Sequence, residues 1–218
     1  MKIQIFHPIS VGIIIAFVFS CETQKNKNGG VRKVTHSPTP GKAVAAFASG
    51  CFWCSEHIFE AVDGVDSVVS GYAGGSTPNP TYELVNTETT GHAESVLVYY
   101  DPEIIGFDDL TEVFFTSHDP TTPNRQGPDV GSSYRSVLFY QTADEKIIAE
   151  NALRKFQRSF SDSIVTEIKE LSEFYRAEEY HQDYIHHNPH SPYVLRVSIP
   201  RYEKFKRDYN GKLKDDRR

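Results

Sequence analysis

Ala43-Val44-Ala45-Ala46-Phe47-Ala48, then Gly50 and Cys51-Phe52-Trp53-Cys54, is the stretch from which the fold of this 218-residue chain is read. The first six residues form an apolar run of strand length. From residue 51 the apolar positions Phe52, Phe59 and Val62 recur at helical spacing until Asp63-Gly64. A strand turning at a glycine into a helix opened by a thiol begins an α/β unit. With Cys51 at the head of the helix, Cys54 lies one turn on and on the same face. The helix N-terminus would favour the Cys51 thiolate, which is the nucleophilic form, and Phe52 and Trp53 would give it an apolar wall. Cys51 is therefore expected to be an exposed, ionisable attacker acting on a small apolar group.

Further along, the pattern predicts a strand over 65–72 stopped by Gly74-Gly75, a polar loop over 76–90 around Tyr82, and an alternating strand over 92–100. A helix follows over 107–117, then a long loop rich in Pro, Gly and Asp over 118–133, and a strand over 134–140. Next come a helix over 142–160, with Thr142 as N-cap and Asp144-Glu145 in its first turn, and a strand over 164–171. A helix is expected over 177–187, and a loop with a basic end from Asn188. This order predicts an α/β (α+β) fold, a two-layer sandwich with a mixed sheet, close to a ferredoxin-like core. The long loops around Tyr82 and Asp129 exceed ordinary connections, as loops that serve a site do.

One domain with a sizeable core, residues 42–218, suits this length. A net charge of −6 argues against nucleic acid as a partner, and a monomer is expected. Ahead of the domain, Lys2 and an apolar run over 9–19, too short to span a bilayer, read as a signal peptide over 1–20. Val18-Phe19-Ser20-Cys21 is similar to the lipoprotein variant, in which cleavage leaves Cys21 as the acylated first residue. A plain signal peptide cleaved elsewhere is the alternative. Residues 21–41, with Gly-Gly and Ser-Pro-Thr-Pro, read as a flexible tether. The expected location is a bacterial cell-envelope membrane, with the protein exported and lipid-anchored on its periplasmic or surface face.

The Cys51/Cys54 pair has three readings: a redox dithiol, half of a zinc site, or a structural disulfide. Zinc would need further ligands, for which His181, His186 and His187 are available. A bridge this short closes too small a loop to stabilise much, so redox chemistry leads and no metal is expected. Glu94 shares a strand face with Val96, Val98 and Tyr100. Burial there would raise its pKa and leave it a general acid; a solvated glutamate at a strand end is the alternative. Tyr82 and Tyr134 could orient an oxygen or simply pack, and Asp129, within Gln126-Gly127-Pro128-Asp129-Val130-Gly131, could position a polar group or make a turn.

Together with Gly71-Tyr72-Ala73-Gly74-Gly75, Asn79-Pro80-Thr81-Tyr82, Thr90-Gly91-His92-Ala93-Glu94, His118-Asp119-Pro120-Thr121, Tyr134-Arg135-Ser136 and Ala177-Glu178-Glu179-Tyr180-His181-Gln182, these motifs span most of the domain in order. The chain resembles the peptide methionine-S-sulfoxide reductases of A type. The resemblance implies that Cys51 attacks the sulfoxide sulfur of free or protein-bound methionine S-sulfoxide. Glu94 would protonate the departing oxygen with Tyr82 and Tyr134 hydrogen-bonded to it. Phe52 and Trp53 would hold the methyl group, with Asp129 shaping the same site. Cys51 is left as a sulfenic acid. Thioredoxin or another dithiol is the implied reductant and no cofactor is needed. The family commonly has glycine where this chain has Cys54, and keeps a resolving cysteine in a C-terminal tail that here contains none. With Cys21 expected to be acylated and far away on the tether, this departure leaves Cys54 as the intramolecular candidate, and Cys54 is expected to close the disulfide within the motif. A second departure is Arg176, where proline is usual. Two rivals stand beside it: a tethered thiol–disulfide exchanger, which would not need Glu94, and a zinc-binding scaffold.

Overall fold

The computed structural model describes residues 32–34 and 38–215; Cys21, the signal region 1–20 and most of the expected tether lie outside them. The strands are β1 (Arg32–Val34), β2 (Ala43–Ser49), β3 (Val65–Ala73), β4 (Ala93–Tyr100), β5 (Arg125–Gln126), β6 (Asp129–Val130), β7 (Ser136–Tyr140), β8 (Glu167–Glu170) and β9 (Phe174–Arg176). The helices are α1 (Phe52–Glu60), α2 (Tyr82–Val85), α3 (Phe107–Thr116), α4 (Ala143–Gln157), α5 (Tyr184–His187) and α6 (Ile199–Asp208).

Segments β2-α1-β3-β4-α3-β7 make a βαββαβ unit whose strands lie in the order β3-β4-β2-β7, each antiparallel to its neighbour. That is the expected ferredoxin-like core. Helix α4 then returns the chain so that β8 pairs parallel with β7, which makes the sheet mixed. On the other edge β9 pairs with β3, and β1 with β9. Ordered structure therefore begins ahead of residue 42, with β1 inside the stretch read as tether.

Local chemistry accounts for the helix starts. The Thr142 hydroxyl accepts the Glu145 amide of α4 at 3.1 Å, and the Asp109 carboxylate accepts the Gly106 amide ahead of α3 at 3.0 Å. One face of the sheet carries the aromatic core: Phe47 stacks on Phe59 of α1 at 4.8 Å and meets Phe114 of α3 at 5.6 Å. The opposite face is built of small residues, Ala46, Ala48, Ala73 and Ala93, with Leu97, Phe139 and Phe174. Strand β4 sits between β3 and β2 and is buried on both faces, so its alternation separates two cores and not core from solvent.

The C-terminal third departs from expectation. Residues 177–187 do not form one helix: a 3₁₀ turn at Glu179–His181 and the short α5 are separated by Asp183 in the left-handed region at φ 51°. Side chains hold this segment in place of a helical ladder. Gln182 accepts the Ser70 amide at 3.1 Å and donates to the Ser70 carbonyl at 3.0 Å, and Glu56 accepts the Asp183 amide at 2.9 Å. Arg176 ends β9 and pairs with Glu179. The segment from Asn188 is not a loop either. It becomes helical through a π-turn at Val194–Ser198 that runs into α6. Pro200 lacks an amide hydrogen, and the wide turn ahead of it accommodates that loss. Tyr134 belongs to a 3₁₀ turn, Ser132–Tyr134, just before β7. Among the described residues no helix is long and apolar enough to cross a membrane.

Gly50 sets the entry to α1. It has φ +86°, and a Cβ there would stand 2.4 Å from the Gln126 side chain. Both facts demand glycine, and the turn they permit delivers Cys51 to the helix N-cap.

Candidate active site

Cys51 caps α1, and the next amide, that of Phe52, donates to Glu94 Oε2 on β4 at 3.0 Å. This bond joins helix to sheet and brings the cysteine and the carboxyl to one cavity of about 330 Å³. Of the residues expected at the site, Cys51, Phe52, Trp53, Tyr82, Glu94, Asp129 and Tyr134 all line it. Tyr184 and Tyr193 line it as well and were not anticipated, since the C-terminal segment read as loop.

The cavity is an aromatic box. Trp53 is stacked on Tyr184 with ring centres 3.6 Å apart and meets Tyr193 edge-on at 5.7 Å. Its indole Nε1–H donates to His181 Nδ1 at 3.1 Å. Burial holds the His181 imidazolium off, with a pKa down to about 4, so the ring is neutral and free to accept. Tyr82 starts α2, its amide donating to Glu178 Oε1 at 2.9 Å and its ring lying 4.5 Å from that of His181. Glu178 also accepts the Tyr72 hydroxyl at 2.8 Å. Asp129, on the β5–β6 hairpin, accepts the Tyr193 hydroxyl at 2.5 Å.

Glu94 is 2% exposed, and burial pushes its pKa up to about 8, against the lowering effect of the Phe52 amide; the charges of Asp129, Cys54 and Glu88 push the same way as burial. A solvated strand-end glutamate is thus excluded, and at neutral pH the group is a carboxylic acid able to donate its proton.

A profile of the family described as peptide methionine sulfoxide reductase matches residues 43–214. A peptide methionine sulfoxide reductase of Rhodopirellula baltica is 47% identical over 175 residues, covering 80% of this chain and 91% of that protein. One from Sulfolobus acidocaldarius is 47% identical over 169 residues, 78% and 96% of the two chains. The chain belongs to the peptide methionine sulfoxide reductase family. Among solved structures, reduced Mxr1 of Saccharomyces cerevisiae aligns with a TM-score of 0.68 at 35% identity, over 71% of this chain and 91% of that one. Methionine sulfoxide reductase A of Corynebacterium diphtheriae aligns at 0.64 and 36%, over 72% and 79%. The activity is thiol-dependent reduction of methionine sulfoxide.

In this reductase the two thiols differ from expectation. Both are free and buried. Cys51 is 5% exposed, and burial, its hydrogen bond to Cys54 and the nearby charges of Cys54 and Glu94 push its thiol well above the ordinary range. Cys54 goes the other way, to about 6, through the hydrogen bond from Cys51, the Arg201 charge and Ser198. The expected exposed thiolate at Cys51 is therefore corrected: the resting negative charge of the pair sits on Cys54. The helix terminus loses to burial and to the hydrogen bond with Cys54, whereas Cys54 faces a cation. Among the described residues no cluster of His, Cys, Asp or Glu could hold a metal ion, and His181 is committed to the indole.

A protonated Glu94 has a pH signature. Below about 8 the carboxyl carries its proton and above it does not. The methionine-release step in single-turnover assays is expected to lose its Glu94-dependent acceleration as pH rises through about 8. Glu94→Gln should slow that step by about a hundredfold or more at neutral pH, with the same circular-dichroism spectrum as the parent. An undiminished rate in Glu94→Gln would remove the carboxyl from the acid role.

Proposed function

We propose that this reductase acts on the S epimer of methionine sulfoxide, free or in polypeptides, with Cys51 as nucleophile and Glu94 as acid. The observation that carries this is the buried Glu94 carboxyl in the same aromatic cavity as Cys51, where burial favours its protonated form. Phe52 and Trp53 take the methyl group by apolar contact. Tyr82 and Tyr134 hydrogen-bond the oxygen beside Glu94, and Asp129 holds Tyr193 against the sulfur. With sulfur, methyl and oxygen each assigned a separate wall, a chiral sulfoxide fits in one hand only. Cys51 passes its proton to the Cys54 thiolate to which it is hydrogen-bonded, and its sulfur bonds to the sulfoxide sulfur while Glu94 protonates the sulfoxide oxygen; Cys54 returns that proton to solvent. The hydroxyl then transfers to the Cys51 sulfur as the sulfur–sulfur bond breaks; methionine leaves with that bond's electrons, and Cys51 is left as a sulfenic acid.

Cys54 then closes the disulfide, and a dithiol of thioredoxin type reopens it. A thiol–disulfide exchanger would have no use for the carboxyl or for the aromatic box. The sequence around Cys21 supports export, acylation at that residue and a membrane-anchored repair enzyme, with residues 21–31 as the lead to β1.

Assays of both epimers with dithiothreitol should show consumption of the S form alone; equal turnover of the two would contradict the assignment. Cys54→Ser should release one methionine per chain and then stall with thioredoxin, and unimpaired thioredoxin-driven cycling would make Cys54 dispensable. In a bacterial host, Cys21→Ser should move the protein from the membrane pellet to the soluble fraction; pelleting of the variant like the parent would rule out acylation there.

A further inference from the structure

The two sulfurs open onto different spaces. Cys51 lines the aromatic cavity, whereas Cys54 lines a second cavity of about 500 Å³ on the other side of the Asp129–Tyr193 pair, which borders both. The second space is walled by the C-terminal helical segment, and its character is cationic: Arg196, Arg201 and Lys204 all face it. Nothing in the reduction of a sulfoxide calls for positive charge there, because the developing charge in that step lies on the oxygen beside Glu94.

Arg201 is fixed at this place. Its Nε–H donates to the Ser117 carbonyl at 2.7 Å and its Nη2–H to Ser49 Oγ at 3.1 Å. Ser49 Oγ in turn lies 2.7 Å from Ser55 Oγ, which bonds back to the Cys51 carbonyl at 3.3 Å. The guanidinium is thereby braced against the Gly50–Cys51 turn. From the π-turn of the same segment, Ser198, 1% exposed, places its hydroxyl 3.2 Å from Cys54 Sγ. That distance serves either protonation state of the sulfur, since the hydroxyl accepts from a thiol and donates to a thiolate.

We propose that Cys54, Ser198 and Arg201 form a second reaction centre, in which Ser198 and Arg201 hold Cys54 as the thiolate that attacks the Cys51 sulfenic acid. The inference rests on the reading that Cys54 closes the disulfide, and it adds the groups that prepare it. In the step, a lone pair of the Cys54 thiolate forms the sulfur–sulfur bond as the sulfur–oxygen bond of Cys51 breaks. The oxygen departs with that bond's electrons, takes up a solvent proton and leaves as water. Cys54 is oxidised, the sulfenic sulfur is reduced, and no outside oxidant enters. Ser198 touches the reacting sulfur; Arg201 is a positioning residue that acts through its charge.

The other groups around Cys54 leave this assignment standing. On its own helix Cys51 donates to it. From the hairpin, Asp129 opposes the thiolate, and Glu94 on β4 is neutral near pH 7. His118, from the segment after α3, is kept uncharged by burial and by the Arg201 charge, and so adds nothing cationic. Asp119 and Tyr193 complete the wall. The fixed cation next to the sulfur is Arg201, which is why the test falls there.

Peptide-resolved alkylation of the reduced full-length protein reads Cys54 directly across pH. In the parent, half-maximal reactivity of Cys54 is expected near pH 6. Arg201→Gln should raise that midpoint by about one unit or more, Arg201→Lys by less, and Ser198→Ala in the same direction. Rapid-quench mass mapping should show disulfide closure slowed in Arg201→Gln at pH 6 to 7 and restored toward the parent rate at pH 9, with the methionine burst retained. An unmoved midpoint in Arg201→Gln, or a parent Cys54 titrating as an ordinary thiol, would overturn the inference. If Arg201→Gln does not fold, Arg201→Lys and Ser198→Ala decide by the same midpoints. Absence of any Cys51–Cys54 disulfide in the oxidised parent would instead remove the reading on which it rests, and the inference with it.

Discussion

The hydrogen bond from the Phe52 amide to Glu94 is the contact on which the site depends. The first amides of a helix have no partners within it, and here a sheet carboxyl supplies one at 3.0 Å. That bond sets the distance between α1 and β4, and therefore between Cys51 and the Glu94 carboxyl. It also works against protonation, because an amide donor favours the charged carboxylate. Burial wins: a charged carboxylate taken out of water costs several kcal/mol, and the neutral form prevails to about pH 8. The cost of burial thus keeps a proton on this carboxyl at neutral pH.

A chain of hydrogen bonds and stacked rings surrounds this carboxyl. Glu178 holds the Tyr82 backbone and the Tyr72 hydroxyl, neutral His181 accepts from the indole, and Tyr184 covers the indole face. The indole Nε1–H and the Tyr193 hydroxyl are thus tied to protein partners, His181 and Asp129. Positive charge lies on the far side of the cysteine pair, at Arg201. A methyl sulfoxide and a thiolate need opposite surroundings, and the Asp129–Tyr193 pair separates them.

The βαββαβ core was legible because its signals are local: an apolar run, a glycine turn, helical spacing, then alternation. Glu94 could be picked out since its face neighbours Val96, Val98 and Tyr100 are apolar, and the surrounding core bears this out. The C-terminal third was not legible in the same way. Residues 177–187 look helical, but their order comes from Gln182, Glu178 and Glu56 bonding to distant backbone and side chains, and no periodicity reports such contacts. In the last segment Pro200 and many charges hide a helix whose buried positions, Val194, Ser198 and Phe205, are few. Tyr193 was missed for that reason, and with it the wall between the two cavities. The ionisation of the cysteine pair was misread because helix position alone favours Cys51, whereas burial and the distant Arg201 decide the matter.

Titration of the Glu94 side chain itself tests the account most directly. Isotope-edited infrared spectroscopy of the reduced protein, with labelled glutamate and Glu94→Gln as the subtraction reference, isolates its carboxyl stretch. A protonated carboxyl is expected through neutral pH, lost with a midpoint near 8. A carboxylate already ionised at pH 6, with a midpoint near the ordinary glutamate value of 4.5, would contradict it.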